Sequence, residues 1–271
     1  MEKTVIAIDR GASFADFAVV ENGRLGDYLS VETRNWDTIN ATLKQIREKH
    51  KTDHLVFTGS TAQMPDDLQR QVVVVPEIEA IGSGGAALAN QSTCLVVSMG
   101  TGSAMVHVNK NTAAHVGGTG VGGGTIKGLA SLLCDVDDPA VLEKLALSGK
   151  SAHLNMTIGD LGLNDLSFLP ADATVGNFAN IKSDRIEDRA AAILSLVGET
   201  IGIIASLCAR ECKCRDAIIA VGKVSTNKSI RHTLGHVGRL YQTQFIFPDH
   251  PECATAFGAA TRYLQGDKAA G

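Results

Sequence analysis

The sequence predicts an α/β fold made of two similar halves. Short apolar strands alternate with helical patterns along the 271 residues, and a hydrophobic content of 44% is enough for one large or two medium domains. A strand–turn–strand plan with a small-residue turn occurs at residues 4–20 and again at residues 94–108. The sequence has no repeat of fixed period, so the duplication is one of pattern only.

The first half, residues 1–91, is predicted to hold five strands and two helices. Each strand is a short apolar run next to turn residues, and Asn22-Gly23 is typical of a tight hairpin. Apolar side chains at helical spacing predict a helix over residues 35–50, and Pro76 followed by two acids is typical of a helix start at residues 76–90. The predicted strands are residues 4–8, 14–20, 29–33, 55–59 and 72–75.

The second half, residues 92–265, repeats the plan with more helix, and residues 266–271 are expected to be a disordered tail. The longest helix, residues 186–211, is apolar on much of its circumference, which is typical of a central helix or a subunit interface. Residues 165–179 are predicted to be loop. The predicted strands are residues 94–99, 104–108, 216–221 and 242–247, and the predicted helices are residues 126–133, 139–147, 186–211, 228–237 and 254–264.

Residues 115–129 are the most distinctive stretch. Six glycines lie between Val116 and Ile126, after an apolar strand and before a helical pattern. Glycine allows a ligand to approach the main chain, and the N–H groups at a helix N-terminus attract anions. The glycine run between Val116 and Ile126 is therefore predicted to be a loop that binds phosphate.

Charge and cysteine content limit the function classes. A net charge of −4 gives no indication of a nucleic-acid or membrane partner, no window approaches the ~20 apolar residues of a membrane span, and the N-terminal strand is too short for the apolar core of a signal peptide, so we expect a cytoplasmic protein. Cys208, Cys212 and Cys214 lie close together but without C-x-x-C spacing. This pattern favours packed thiols over a metal site.

Several loops indicate a ligand cleft. Asp9 ends the first strand, and small-residue turns follow at residues 11–13 and 100–103; Gly222 ends a later strand. In alternating α/β chains ligands bind beyond the strand ends, and two such turns can hold a triphosphate by main-chain N–H groups. Phosphoryl transfer also needs a carboxylate that holds a metal and a base that orients the nucleophile.

The glycine stretch, from Val116 to Leu129, resembles the signature of type II pantothenate kinases. This family lies in the acetate/sugar kinase–Hsp70–actin superfamily. The resemblance implies an actin-like ATPase fold, with two ribonuclease-H-like halves and a nucleotide cleft between them. It also implies a homodimer that uses ATP and Mg²⁺ to phosphorylate the primary hydroxyl of pantothenate, the first step toward coenzyme A. Weaker similarity lies at residues 98–102, 173–178, 218–222 and 257–260.

The resemblance also implies roles for individual residues. Glu77 best matches the catalytic base and Glu79 is the rival, although either acid could simply compensate the helix dipole. Asp9 would also hold Mg²⁺. The implied acceptor-binding residues are His115, Gly117 and Thr119. The implied nucleotide-binding residues are Asp9, Gly11, Ser13, Gly100, Thr101, Gly102, Gly122, Gly123, Gly124, Lys127 and Gly222.

Three departures from the family pattern leave alternatives open. The first turn reads Asp9 to Ser13 without the usual nearby lysine, and Arg10 could either supply that charge or be a surface residue. His115 replaces an arginine, and Ala104 replaces a hydroxyl residue, both on the acceptor side. The alternatives are a kinase of another small hydroxyl acceptor, a non-kinase that binds nucleotide or acyl-CoA, and an activator ATPase with an iron–sulfur cluster between subunits.

Overall fold

The first half of the chain forms a five-stranded mixed sheet. Its strands are β1 (Thr4–Arg10), β2 (Ala15–Glu21), β3 (Arg24–Val31), β4 (Leu55–Gly59) and β5 (Val72–Val74), and its helices are α1 (Trp36–His50), α2 (Asp66–Gln69) and α3 (Glu77–Leu88). The strand order is β3-β2-β1-β4-β5, with the first three antiparallel and the last two parallel to β1. The Asn22-Gly23 turn joins β2 to β3 with positive φ at both residues, as predicted.

The second half builds an equivalent sheet in the order β14-β13-β6-β7-β8. Its strands are β6 (Thr93–Met99), β7 (Ser103–Asn109), β8 (Thr112–Thr119), β9 (Met156–Thr157), β10 (Asp165–Leu166), β11 (Leu169–Pro170), β12 (Thr174–Gly176), β13 (Ile218–Val221) and β14 (Phe245–Ile246). Its helices are α4 (Gly123–Cys134), α5 (Pro139–Ser148), α6 (Ile186–Glu211), α7 (Lys228–Tyr241) and α8 (Ala254–Ala270). β6 takes the place of β1, with antiparallel strands on one side and parallel strands on the other. The duplicated pattern is thus present in space.

This computed structural model describes residues 4–33, 35–167 and 169–270, with the backbone alone for residues 267–270. The first three residues of the predicted first half and the last residue of the predicted tail lie outside the described residues. The tail prediction is corrected as far as Ala270, because α8 continues to that residue. Residues 165–179, predicted to be loop, contain the short strands β10, β11 and β12, and the four-residue helix α2 was not predicted.

The helices α3 and α8 are exchanged between the two halves. Phe257 and several alanines of α8 pack on Val5 and Val56 of the first sheet. In contrast, Ile81 of α3 packs on Val96 of the second sheet. The two sheets therefore lie on either side of the predicted boundary at residues 91 and 92, but each is covered on one face by a helix from the other half.

The two helices cross at a pair of glycines. A Cβ added to Gly84 would lie 1.9 Å from the carbonyl oxygen of Ala254, and one added to Gly258 would lie 1.9 Å from the carbonyl oxygen of Ala80. Such distances are far inside van der Waals contact, and main-chain atoms cannot move aside as a flexible side chain can. The absence of side chains at these two positions is what allows the halves to pack so closely.

Gly84→Ala is therefore expected to destabilise the protein by about 1–3 kcal/mol or more, the usual cost of overpacking. Gly235→Ala in α7 is the matched control, since its added Cβ would meet nothing closer than a guanidinium nitrogen of Arg239 at 3.8 Å. It should be neutral or slightly stabilising, because alanine favours helix over glycine. Chemical denaturation of both variants measures the difference, and equal stabilities would contradict the crossing.

The long helix α6 is central in the second half. Its side chains pack against β6 and β13 on one side and against α4, α5 and α7 on the others, with Ile193, Val197 and Ile201 fully buried. Its mean hydropathy of 1.9 over 18 residues would permit a membrane span by length and composition, which corrects the expectation from sequence, but 56% of that window is buried inside the chain. The apolar circumference is thus explained by packing within one chain.

Candidate active site

Two short turns, one from each sheet, face each other between the two halves of the chain. The first turn (residues 11–14) joins β1 to β2, and the second turn (residues 100–102) joins β6 to β7. They meet where the hydroxyl oxygens of Ser13 and Thr101 lie 3.3 Å apart. Because β1 and β6 are the equivalent central strands, the duplication itself brings the turns together.

Several main-chain amides of these turns are available to a ligand. The Gly11 N–H donates to the carbonyl oxygen of Phe14 at 2.9 Å. Within the described ranges no acceptor is found for the amides of Ala12 and Ser13, nor for those of residues 100–102. Successive unpaired N–H groups in a turn bind anions. The two turns can therefore hold phosphate groups between them.

The glycines at the start of α4 contact the second turn. The N–H groups of Gly123 and Gly124 donate to the carbonyl oxygens of Gly100 and Thr101 at 2.8 and 2.9 Å. A Cβ at Gly122 would lie 2.7 Å from the same Thr101 oxygen. The glycines thus allow the helix to dock on the second turn, and two of the amides expected to be free for an anion are already bonded.

The glycine stretch is also less of a loop than predicted. Residues 115–119 belong to strand β8, and α4 already begins at Gly123, so the connection between strand and helix is only residues 120–122. The stretch supports the second turn through the hydrogen bonds of Gly123 and Gly124 and does not form a long loop.

Two glycines in positive φ end equivalent strands beside the turns. Gly59 ends β4 with φ +82°, and an added Cβ would lie 2.5 Å from the carbonyl oxygen of Arg10. Gly222 follows β13 with φ +88°, and an added Cβ would lie 2.5 Å from the carbonyl oxygen of Met99. Both positions need glycine for space and for backbone conformation. Gly222 was predicted from the sequence, but Gly59 was not, although its place at the end of an apolar strand is the same signal.

Asp9 is a half-buried acid, and one of its carboxylate oxygens has no hydrogen-bond partner among the described residues. Its Oδ1 is enclosed and unpaired among the described residues. Burial, with smaller contributions from the charges of Asp16 and Glu77, raises the pKa of Asp9 from 3.8 to about 8, against the opposing charge of Lys223. An unpaired buried carboxylate oxygen near other acids is costly unless a cation is present.

The residues around Asp9 fit Mg²⁺. This ion prefers oxygen ligands and is commonly held by one or two carboxylates together with substrate phosphates. In the described part of the chain, no three His, Cys, Asp or Glu side chains are arranged to enclose a metal ion. A magnesium ion here would therefore depend on phosphate oxygens for much of its coordination.

Glu77 and Glu79 are distinguished by their partners. Glu79 accepts a 2.8 Å hydrogen bond and ion pair from Nε of Arg262 in α8. Glu77, the first residue of α3, is exposed and makes no hydrogen bond or ion pair with any residue that the structure describes. The negative charge of Glu77 helps to raise the pKa of Asp9, which lies beside the first turn. Of the two acids, Glu77 is the one with a carboxylate available for chemistry.

The basic residues near the turns were only partly predicted. Arg10 donates to the carbonyl oxygens of Ser60 and Ala62, and its guanidinium lies 4.5 Å from the Trp36 ring, so it faces away from the phosphate-binding amides. Lys127 lies on α4, with Nζ 3.5 Å from a carboxylate oxygen of Glu32 in the first half. Sequence reasoning missed Lys223, whose Nζ contacts Asp16 across the two halves.

The three residues implied for the acceptor do not share one surface. His115 is paired across the strands with Val106, whose side chain packs beneath α3, so His115 lies on the sheet face that α3 covers. Gly117 lies on the opposite face, where an added Cβ would be 2.8 Å from the sulfur of Cys208. The Thr119 hydroxyl accepts from the Val121 amide at 3.2 Å. Only His115 lies on the same side of the sheet as the helix that carries Glu77.

A cavity of about 720 Å³ lies along α3 toward its C-terminal end. It is bordered by the hairpin between β7 and β8 and by α8, not by the two turns, and Glu77 is not part of its wall. Its walls are formed by Glu79, Ser83, Ala86, Ala87, Asn90, Gln91, Ser92, Val108, Lys110, Asn111, Thr112, Ala113, Arg262 and Gln265. The position of the turns, rather than this cavity, locates the candidate active site.

The cysteines near the end of α6 are packed thiols. Cys214 is buried, and its Sγ lies 3.3 Å from the carbonyl oxygen of Cys212. The Sγ of Cys208 lies 3.9 Å from the carbonyl oxygen of Val116. Burial raises the pKa of all three thiols, which disfavours the thiolate needed to bind a metal. These contacts favour packing over an iron–sulfur site.

The duplicated sheets and their facing turns define an actin-like ATPase fold. The chain belongs to the Fumble family, whose model matches residues 86–262. It is 25% identical over 263 residues to a type II pantothenate kinase from Oceanobacillus iheyensis, which covers 94% of this chain and 97% of that protein. The resemblance found in the sequence is thereby confirmed.

Solved structures support the same fold. The activator of 2-hydroxyisocaproyl-CoA dehydratase from Clostridium difficile, with bound ADPNP, matches with a TM-score of 0.69 at 16% identity over 99% of this chain and 97% of that one. A ROK family glucokinase from Streptomyces griseus, in complex with glucose and AMPPNP, matches with a TM-score of 0.65 at 13% identity, covering 95% and 98%. At these identities the likeness confirms the predicted fold alone.

Proposed function

We propose that this protein phosphorylates the primary hydroxyl of pantothenate with ATP, the first step toward coenzyme A. The observation that carries the proposal is the contact between Ser13 and Thr101, which joins two anion-binding turns into one site in a member of the Fumble family. The relatives that match over nearly the whole chain are named type II pantothenate kinases. The residues around the turns supply the other requirements of phosphoryl transfer.

In this proposal the free amides of the two turns bind the nucleotide's phosphates. Gly222 allows the end of β13 to lie against the main chain of Met99, just before the second turn. Asp9 would hold Mg²⁺, which when bound would neutralise charge on the phosphate oxygens. Glu77 accepts the proton of the hydroxyl as its oxygen bonds to the γ-phosphorus and the bond to the β-phosphate oxygen breaks. Glycines 122–124 keep the second turn in shape, and Lys127 is proposed to lie near the bound nucleotide.

The acceptor is proposed to lie between Glu77 and His115, since His115 lies on the face of the second sheet that α3 covers and Glu77 is the first residue of that helix. His115 offers a ring nitrogen as a hydrogen-bond partner for the polar end of pantothenate. Gly117 and Thr119 contribute through the shape of β8, because their own contacts are structural.

We further propose that the enzyme is a homodimer of chains with two lobes. Residues 1–91 and 92–265 provide the two sheets, and α3 and α8 join them. Most of α6 is covered within the chain. The apolar surface it leaves for a second copy is at Leu207, and Leu132 on α4 is a separate exposed apolar residue. Light scattering at micromolar concentration should give the mass of two chains, and a single monomer mass would refute the dimer.

The test is formation of ADP and phosphorylated product from ATP and Mg²⁺ in the presence of pantothenate. We expect pantothenate to stimulate turnover and mass spectrometry to find the phosphorylated acceptor. Pantetheine and glucose serve as comparison acceptors. Turnover with another hydroxyl compound but not with pantothenate would replace the substrate, and nucleotide binding without any phosphorylated product would contradict kinase function.

A further inference from the structure

Lys223 crosses the boundary between the two halves. It follows Gly222 directly, at the end of β13 in the second sheet. Its Nζ lies 2.7 and 3.0 Å from the two carboxylate oxygens of Asp16 on β2 of the first sheet. The Lys223 side chain is 32% exposed and that of Asp16 only 16%. This is a partly enclosed ion pair that reaches the side of the first turn.

The same ammonium group lies over the first turn. Its Nζ is 3.6 Å from the ring centroid of Phe14, the residue that ends that turn. Its charge also acts on Asp9, whose pKa it lowers against the stronger effect of burial. Lys223 therefore contacts Asp16 and Phe14, and its charge acts on Asp9. Phe14 belongs to the same turn as Ala12 and Ser13, whose amides have no acceptor among the described residues.

A nucleoside triphosphate held by these amides would bring several negative charges close to two acidic side chains, Asp9 and Asp16. Main-chain N–H groups carry only partial charges, so a nearby cation is needed to offset the repulsion. The first turn contains no lysine, and Arg10 is bonded to main-chain oxygens on the far side. A lysine ammonium is a compact charge that can bind phosphate oxygens from many directions.

We propose that Lys223 is a phosphate-binding residue, contributed by the second half to the first turn. On nucleotide binding its Nζ exchanges a carboxylate oxygen of Asp16 for phosphate oxygens. The flexible side chain makes this exchange possible, because Nζ has three donors and needs to move little from its place above the first turn. The inference rests on the proposed binding of ATP at the two turns and does not depend on the identity of the acceptor.

The experiment measures ATP and adenosine affinities by calorimetry without divalent metal. Lys223→Met should weaken ATP binding about tenfold or more, because a charged contact to phosphate is lost, and should change adenosine binding less than about twofold. Lys223→Arg, which keeps the charge, should recover most of the ATP affinity. Lys44→Met, at an exposed lysine of α1, is the surface control and should bind both ligands like the wild type.

Asp16→Asn separates a ligand contact from a merely structural ion pair. This variant removes the partner but leaves the ammonium, so ATP affinity should be unchanged or higher. Equal weakening by Lys223→Met and Asp16→Asn would overturn the proposal, as would equal loss of ATP and adenosine binding or no effect of Lys223→Met. Failure of the proposed function has a different signature, in which wild-type protein binds ATP and no phosphorylated pantothenate is formed.

Discussion

Glu77→Gln is expected to lower kcat by about 10²- to 10⁴-fold, the usual contribution of a positioned general base. Glutamine has nearly the same shape but cannot accept the proton of the attacking hydroxyl at neutral pH. ATP affinity should change little, because the phosphates are held by the amides of the first and second turns rather than by this side chain. Steady-state kinetics with pantothenate, together with calorimetry for ATP, measure both quantities.

Glu79→Gln is the matched control, two residues along the same helix. Its carboxylate pairs with Arg262, so the substitution weakens a contact between α3 and α8. Ion pairs that are partly open to solvent contribute about 0–1 kcal/mol, and kcat should remain within a few-fold of the wild type. The reverse result, with Glu77→Gln active and Glu79→Gln inactive, would assign the base to Glu79.

The two sheets could be predicted because their signals are local. Each first hairpin consists of short apolar runs around a small-residue turn, and this signal lies within one short segment of the chain. The exchange of α3 and α8 could not be predicted in the same way. Residues 82–85 show that α3 must pack closely against something, but a stripe of small residues does not say which sheet or helix fills the space. That information lies in the partner, Gly258, far along the chain.

The site shows the same division. Asp9 and the two turns lie at strand ends, where the chain order alone predicts a ligand. The glycine stretch was predicted to be a loop, but glycine is equally compatible with a loop, a strand or the start of a helix. In the structure, most of this stretch forms the end of β8 and the start of α4. Lys223 was missed because its partner Asp16 is 207 positions away, a contact that no sequence spacing predicts.

Asp9→Asn is expected to abolish activity while it stabilises the protein without nucleotide or metal. The pKa of this buried carboxyl is raised to about 8, first by burial and then by the charges of Asp16 and Glu77. Its ionised form is therefore less favourable in the folded chain than in the unfolded chain. An uncharged amide of the same size removes this penalty, but it also removes the charge that would attract Mg²⁺.

The sign of the pH dependence follows from linkage. A group whose pKa is raised on folding contributes stability below its unfolded pKa of 3.8, and that contribution is lost as the pH rises toward about 8. In the absence of metal, the free energy of unfolding of the wild type should fall across this window relative to that of Asp9→Asn. At pH 8 the variant should be more stable by about 1–3 kcal/mol, the cost of a buried polar group without a partner.

Thermal and chemical unfolding in EDTA at pH 5 and pH 8 measure this gap, with Asp249→Asn as a control at an exposed acid. The control should follow the wild type at both pH values. Addition of ATP and Mg²⁺ should stabilise the wild type more than Asp9→Asn and so narrow or reverse the gap, since ligand binding to the folded state adds stability. A destabilised Asp9→Asn protein at pH 8 without metal would show that the carboxylate supports the fold itself. A substitution that raises stability and abolishes activity is expected where a side chain serves ligand binding at a cost to the stability of the fold.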